Sequence, residues 1–318
     1  MRRLLLAGFV LLPILAIAQL QLFRKMRDPS LPTFAASFKK SVVQIELHCK
    51  HGETLVDYGA TGFFVGYPDP AGKDSFLPYL VTNRHVAECW DEASHPQVVL
   101  SAKVRLNGTD GTAKEYPLDP TTWHFSPDDS VDLAVMAMHL PAGLEMTYTP
   151  VSDFATKDYL TKNGIAEGSP VILSGYFYQF PGERKFEPII RQGILSMIPD
   201  EPMMTTAGKL GSIYLADAHI FGGNSGSPIL VAEDALNIDG YRLLGVVSGY
   251  YFENSDFTLV ISTISKGTMR ANSGVAMIVP VDFVQAILDD PYFKVARDAY
   301  FQKFNSIKDP KAASSTGK

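Results

Sequence analysis

The sequence predicts an all-β protein closed by a C-terminal helix, and three observations carry that expectation. Short apolar segments recur along most of the chain with turn signals between them. Several of these segments, such as Ser41-Val42-Val43-Gln44-Ile45-Glu46-Leu47, alternate in part with a period of two. Helical periodicity is confined to the stretch after Pro280-Val281-Asp282, where Phe283, Ile287 and Leu288 share a face and Asp282 is placed to cap. Many short strands with frequent turns indicate a barrel or a sandwich.

The elements follow in order. Ser41–Leu47, Gly59–Val65 and Leu77–Thr82 read as strands, the last two separated by a Pro/Gly/Asp loop. Val98–Leu106 and Ala113–Pro117 flank an Asn107-Gly108 turn and read as a hairpin. Val131–Met138 is a buried strand. A second group comprises Ser169–Leu173, Ile189–Met197, Ser212–Leu215, Ser227–Val231, Leu243–Ser248 and Gly274–Val279. Arg24–Thr33, with Pro29 and Pro32, reads as a polar linker, and residues 306–318 read as a disordered tail.

Composition bounds the function. Of 318 residues, 46% are hydrophobic and 19% charged, which supports a real core and excludes general disorder. A net charge of −6 without a basic cluster gives no nucleic-acid partner. At the N-terminus, Met1-Arg2-Arg3 precedes the apolar run Leu4–Ala18, and Ala16-Ile17-Ala18 has the small-x-small pattern of a signal-peptidase site. Residues 1–18 therefore read as a signal peptide, which makes the chain periplasmic or secreted. The alternative is an uncleaved membrane anchor running to Phe23, about 20 residues and long enough to span a bilayer.

The chain contains two cysteines, Cys49 and Cys89. In an exported protein they can form a disulfide across a loop of about 40 residues, worth roughly 4 kcal/mol in the chain-entropy model. Two buried thiols are the other reading. His48-Cys49-Lys50-His51 is not read as a metal site, because a strand places alternate side chains on opposite faces.

The chemistry centres on Gly222-Gly223-Asn224-Ser225-Gly226-Ser227-Pro228, followed directly by the apolar run Ile229-Leu230-Val231. Small residues let the backbone turn so that a hydroxyl and neighbouring N–H groups converge on one carbonyl. A serine hydroxyl needs a base at neutral pH. Among seven histidines, His85 stands out, at the end of the apolar strand Leu80-Val81-Thr82. The base needs an acid, and Asp132 opens the buried run Leu133-Ala134-Val135, where a carboxylate without partners would be costly. Asp128 and Asp129, after Pro127, read as turn residues.

These three segments resemble those of the chymotrypsin-like, trypsin-type serine peptidases, and the order His85, Asp132, Ser225 matches. α/β-Hydrolases run Ser, acid, His and subtilisins Asp, His, Ser, while Ser227 breaks the Gly-x-Ser-x-Gly elbow of the hydrolases. Gly59-Ala60-Thr61-Gly62-Phe63, Arg191-Gln192-Gly193-Ile194-Leu195-Ser196 and Gly274–Pro280 extend the resemblance over Ala36–Leu288. It is nearest to the bacterial members. It implies two six-stranded antiparallel β-barrels, over 36–150 and 151–281, followed by a helical segment at 282–305.

The resemblance further implies a triad of His85, Asp132 and Ser225, with the N–H groups of Gly223 and Ser225 as oxyanion hole and a polypeptide as substrate. No cofactor or metal is implied. His219 would lie on the floor of the P1 pocket or else be a satisfied core histidine, and Ser248, Gly249 and Tyr250 would belong to the strand that pairs with substrate. Two departures stand out. Asn224 replaces the aspartate that in digestive relatives binds a newly freed N-terminus, and too few residues follow Asp282 for a PDZ domain. A catalytically silent fold used as a binding module is the competing function.

Overall fold

The computed structural model describes residues 30–70, 76–91, 93–234, 237–260 and 264–308. The chain divides into a short leading unit, Met1–Ser37, and a compact unit, Phe38–Lys318. The signal-peptide or anchor segment lies outside the described residues. Among those described, no helix is long and apolar enough to cross a membrane.

Helix α1 (Ser30–Lys40) precedes β1 (Val42–His51), β2 (Thr54–Pro68) and β3 (Phe76–Thr82). A single turn, α2 (Arg84–Ala87), leads to β4 (Val98–Asn107), β5 (Ala113–Leu118), β6 (His124–Phe125), β7 (Ala134–Ala137) and β8 (Thr149–Pro150). Helix α3 (Lys157–Asn163) opens the second half, followed by β9 (Pro170–Gly175), β10 (Ile189–Met197), β11 (Met203–Met204), β12 (Leu210–Gly211) and β13 (Tyr214–Asp217). The chain then runs through β14 (Pro228–Asp234), β15 (Asn237–Val260), β16 (Ile264–Pro280), α4 (Val281–Leu288) and α5 (Pro291–Lys308).

The all-β class holds, and the second half is a closed six-stranded barrel in the order β10-β13-β16-β15-β14-β9. Its interior is filled by Val171, Leu173, Leu195, Ala216, Ile229, Val231, Leu244, Val247, Ala276 and Ile278. The first half has eight strands, in the order β5-β4-β1-β2-β3-β7-β6 with β8 against β2, and its ladder is an open path. The two-residue β6 sits between the turn Pro120–Thr122 and Pro127, which leaves it too short to carry the ladder further. Val43, Ile45, Leu47, Phe64, Leu80, Val104 and Leu106 build the core of this half.

Four sequence expectations need correction. The end of the supposed linker is helical from Ser30, since Pro32 falls in the first turn, where its missing N–H costs nothing. Asp282 does not cap α4: its carboxylate accepts the N–H of Lys157 and so serves the start of α3. The buried face of α4 is Val281, Val284, Ile287 and Leu288, with Phe283 half-buried. Residues 306–308 of the supposed tail continue α5, and residues 309–318 lie outside the described part.

The final helix returns to the first sheet. Arg297 is buried, with its guanidinium 3.6 Å over the Tyr67 ring and a hydrogen bond to Leu288 O, while Phe293 packs edge-on against Tyr79. Cys49 on β1 and Cys89, just beyond α2, are joined as a disulfide across 40 residues. Replacing both cysteines with alanine is expected to lower unfolding free energy by about 3–4 kcal/mol. Urea denaturation reads this directly, and an unshifted midpoint would contradict the assignment.

Candidate active site

His85 is carried by α2, directly after β3. Its position is held from three sides. Asn83, buried before the turn, donates its amide to the carbonyl of Asp132 at 2.9 Å. The Trp90 N–H caps the carbonyl of His85, and the disulfide at Cys89 pins the end of the turn to β1.

Asp132 stands just before β7 and is fully buried. Its Oδ1 accepts the backbone N–H of His85 at 2.9 Å. Its Oδ2 lies 2.6 Å from His85 Nδ1 and also accepts the Thr206 hydroxyl at 2.7 Å. Burial alone would push this carboxyl up, but the charge of His85, its ring and backbone N–H and the Thr206 hydroxyl outweigh it. The carboxyl is held below its ordinary value. With Nδ1 engaged, the other ring nitrogen is left for chemistry on the cavity side.

Ser225 lies in the turn before β14. The turn is braced by Thr61 on β2: the Thr61 N–H donates to Ser225 O at 2.9 Å, and its hydroxyl donates to Gly223 O at 2.7 Å and accepts from the Tyr176 N–H. Two glycines make this approach feasible. Gly223 and Gly226 have φ of +92° and +84°, and a Cβ on Gly226 would come within 1.9 Å of Thr61 O. The N–H groups of Asn224, Gly226 and Ser227 bond to Phe221 O, Val247 O and Asn224 O. Those of Gly223 and Ser225 have no protein acceptor among the described residues, the pair that an incoming carbonyl oxygen would need.

His85 and Ser225 line one cavity of about 240 Å³, together with Gly223, Gly59, Trp90 and Tyr58. Leu47, Tyr58 and Gly59 are shared with an open groove of about 830 Å³, which also carries Glu46, His48, Asp57, Lys103 and Glu115.

The residues expected at the substrate side do not line this cavity. His219 is exposed, its ring 5.0 Å from that of Phe221, so it is not a core residue. Burial in the extended segment Asp217–Ile220 alternates, with Ala218 and Ile220 inside, which turns His219 outward. Ser248, Gly249 and Tyr250 lie on β15, outside the cavity of His85 and Ser225. Asp128 accepts the Ser130 N–H, as a turn former would, and Asp129 pairs with Lys209. No three or more His, Cys, Asp or Glu side chains cluster as metal ligands among the described residues.

A family model described as the trypsin-like peptidase domain matches residues 60–236, more than half of the chain. The chain belongs to the trypsin-like peptidase family. Among solved structures, this trypsin-like peptidase is similar to that of Deg5, with 21% identity over 83% of this chain and 92% of the other at a TM-score of 0.47. It is also similar to the Rv3671c protease of M. tuberculosis in its active form, with 20% identity, coverage of 82% and 86%, and the same TM-score. No curated protein matches the chain.

Sequence reading did not single out Thr61 or Tyr176 as brace residues, nor the work of the Asn224 side chain. Asn224 is buried; its Oδ1 accepts from Phe221 N–H and its Nδ2 donates to Tyr176 O at 2.8 Å. An aspartate there would set two oxygens against each other. Asn224→Asp is expected to destabilise the protein by about 1–3 kcal/mol at neutral pH. Its folded pKa would be raised, so the deficit is full above that value and vanishes below the unfolded carboxyl value, about pH 4. Unfolding at pH 7.5 and pH 4 tests this; a deficit independent of pH would contradict it.

Proposed function

We propose that this trypsin-like peptidase is a serine endopeptidase that cleaves polypeptides through His85, Asp132 and Ser225. The reading is carried by one observation: a buried carboxylate holds Nδ1 of His85, while His85 and Ser225 line the same cavity beside two uncommitted N–H groups. In the reaction, Ser225 Oγ attacks the peptide carbonyl carbon and passes its proton to His85 Nε2. Asp132 fixes the ring and stabilises the imidazolium. The carbonyl oxygen gains its charge where the Gly223 and Ser225 N–H groups can donate. His85 then returns the proton to the leaving amine, and water, activated by the same base, releases the acyl group from Ser225.

The open groove that meets the cavity at Tyr58 and Gly59 favours an extended chain over a small ester as substrate. The disulfide supports a periplasmic or secreted site of action, where cysteines are oxidised. The internal partners of Asn224 support activity without prior clipping, since no freed N-terminus is needed to satisfy that position.

A fluorophosphonate should label Ser225 in the folded protein, and Ser225→Ala should reduce turnover of a peptide substrate by about 10⁴-fold or more without changing the unfolding midpoint. Folded protein that neither labels nor cleaves would leave the binding module as the better reading.

A further inference from the structure

The Asp132 carboxylate receives three hydrogen bonds, and only two of them come from His85. The third comes from Thr206, at the tip of the β11–β12 hairpin in the other half of the chain, 74 residues away in sequence. An ionised carboxylate can only accept, so the hydroxyl must donate, and its 2.7 Å length is that of a charge-assisted bond. The hydroxyl of Ser248 on β15 is turned to Met277 O at 3.4 Å.

The hairpin does not depend on this bond for its own shape. Thr205 N–H donates to Lys209 O, and Gly208 N–H donates to Thr205 O. Lys209 pairs with Asp129 on the side of the first half, and Tyr251 OH donates to Met204 O on the side of the barrel. The methyl of Thr206 faces Gly249, where an added Cβ would stand 2.8 Å from it. Thr206 is thus anchored by its backbone and wedged between β15 and the acid, with its hydroxyl left to act on Oδ2.

We propose that Thr206 is a positioning residue for Asp132: its hydroxyl fixes the carboxylate plane so that Oδ1 and Oδ2 meet the backbone and ring N–H of His85 together. This rests on the reading of Asp132 as the acid of a catalytic triad. Without the hydroxyl, the carboxylate keeps its burial but loses its third donor and is free to rotate away from the ring. Thr206 does not reach the cavity, so substrate binding is unaffected and only the proton-transfer steps suffer.

The test compares Thr206→Val, which keeps shape and removes the donor, with Thr206→Ser, which keeps the donor and removes the methyl. For an internally quenched peptide, Thr206→Val should lower kcat about 10- to 100-fold with KM within about twofold, and Thr206→Ser should restore most of kcat. Fluorophosphonate labelling of Ser225 should slow in parallel. Should the valine variant fail to fold, Thr206→Ala, which also lacks the donor, is measured instead against Thr206→Ser. Wild-type kcat in the variant without the hydroxyl, an effect on KM alone, or a serine variant as slow as the valine would overturn the proposal. Absence of labelling in the wild-type protein would instead remove the triad reading itself, which separates the two failures.

Discussion

A carboxylate without access to water is the constraint around which the rest of the molecule is arranged. Asp132 is fully buried, and an ionised group in such a place costs several kcal/mol unless donors surround it. Those donors are drawn from the turn after β3 and from the β11–β12 hairpin, which lie in different halves of the chain. Neither half satisfies the charge alone. The apolar cores supply most of the driving force for each half, while the carboxylate is one of the groups whose partners are complete only where both meet.

The Ser225 turn obeys the same logic with neutral groups. Thr61 on β2 reaches across to Ser225 and Gly223, and Tyr176, at the end of β9, is tied both to Thr61 and to Asn224. The bond from Thr61 N–H to Ser225 O brings backbone against backbone, so that a Cβ on Gly226 would strike Thr61 O, while one on Gly223 would strike the Tyr176 ring. The N–H groups of Asn224, Gly226 and Ser227 are bonded within the turn or to Val247, and those of Gly223 and Ser225 are the exceptions among its backbone donors.

Much of this was legible in the sequence, and what was not has a common cause. Strands of four or more residues announce themselves by alternation and burial, so most were placed close to their observed bounds. His85, Asp132 and Ser225 stand out in the sequence because each sits at the junction of an apolar strand and a turn, a local signal. Thr206 had no such signal: it lies in a short polar hairpin whose strands have two residues each, and its partner is 74 residues away. For His219, spacing from Ser225 does not state which way the side chain faces; the alternation of burial over Asp217–Ile220 turns it outward. The continuation of β15 and β16 beyond the barrel carries no sustained alternation in the sequence, its apolar residues such as Phe252, Phe257 and Leu259 being irregularly spaced, and its described residues pair across the two strands.

The neutral bracing around Asn224 bears on control. In a peptidase whose nucleophile turn waits for an outside charge, one irreversible cut decides when activity begins. On the proposed reading of Ser225, the bonds of Asn224 leave no such gap to fill, and timing would be imposed by other means: by the compartment the molecule reaches, by what covers the groove beside Tyr58 and Gly59, and by which substrates come within reach.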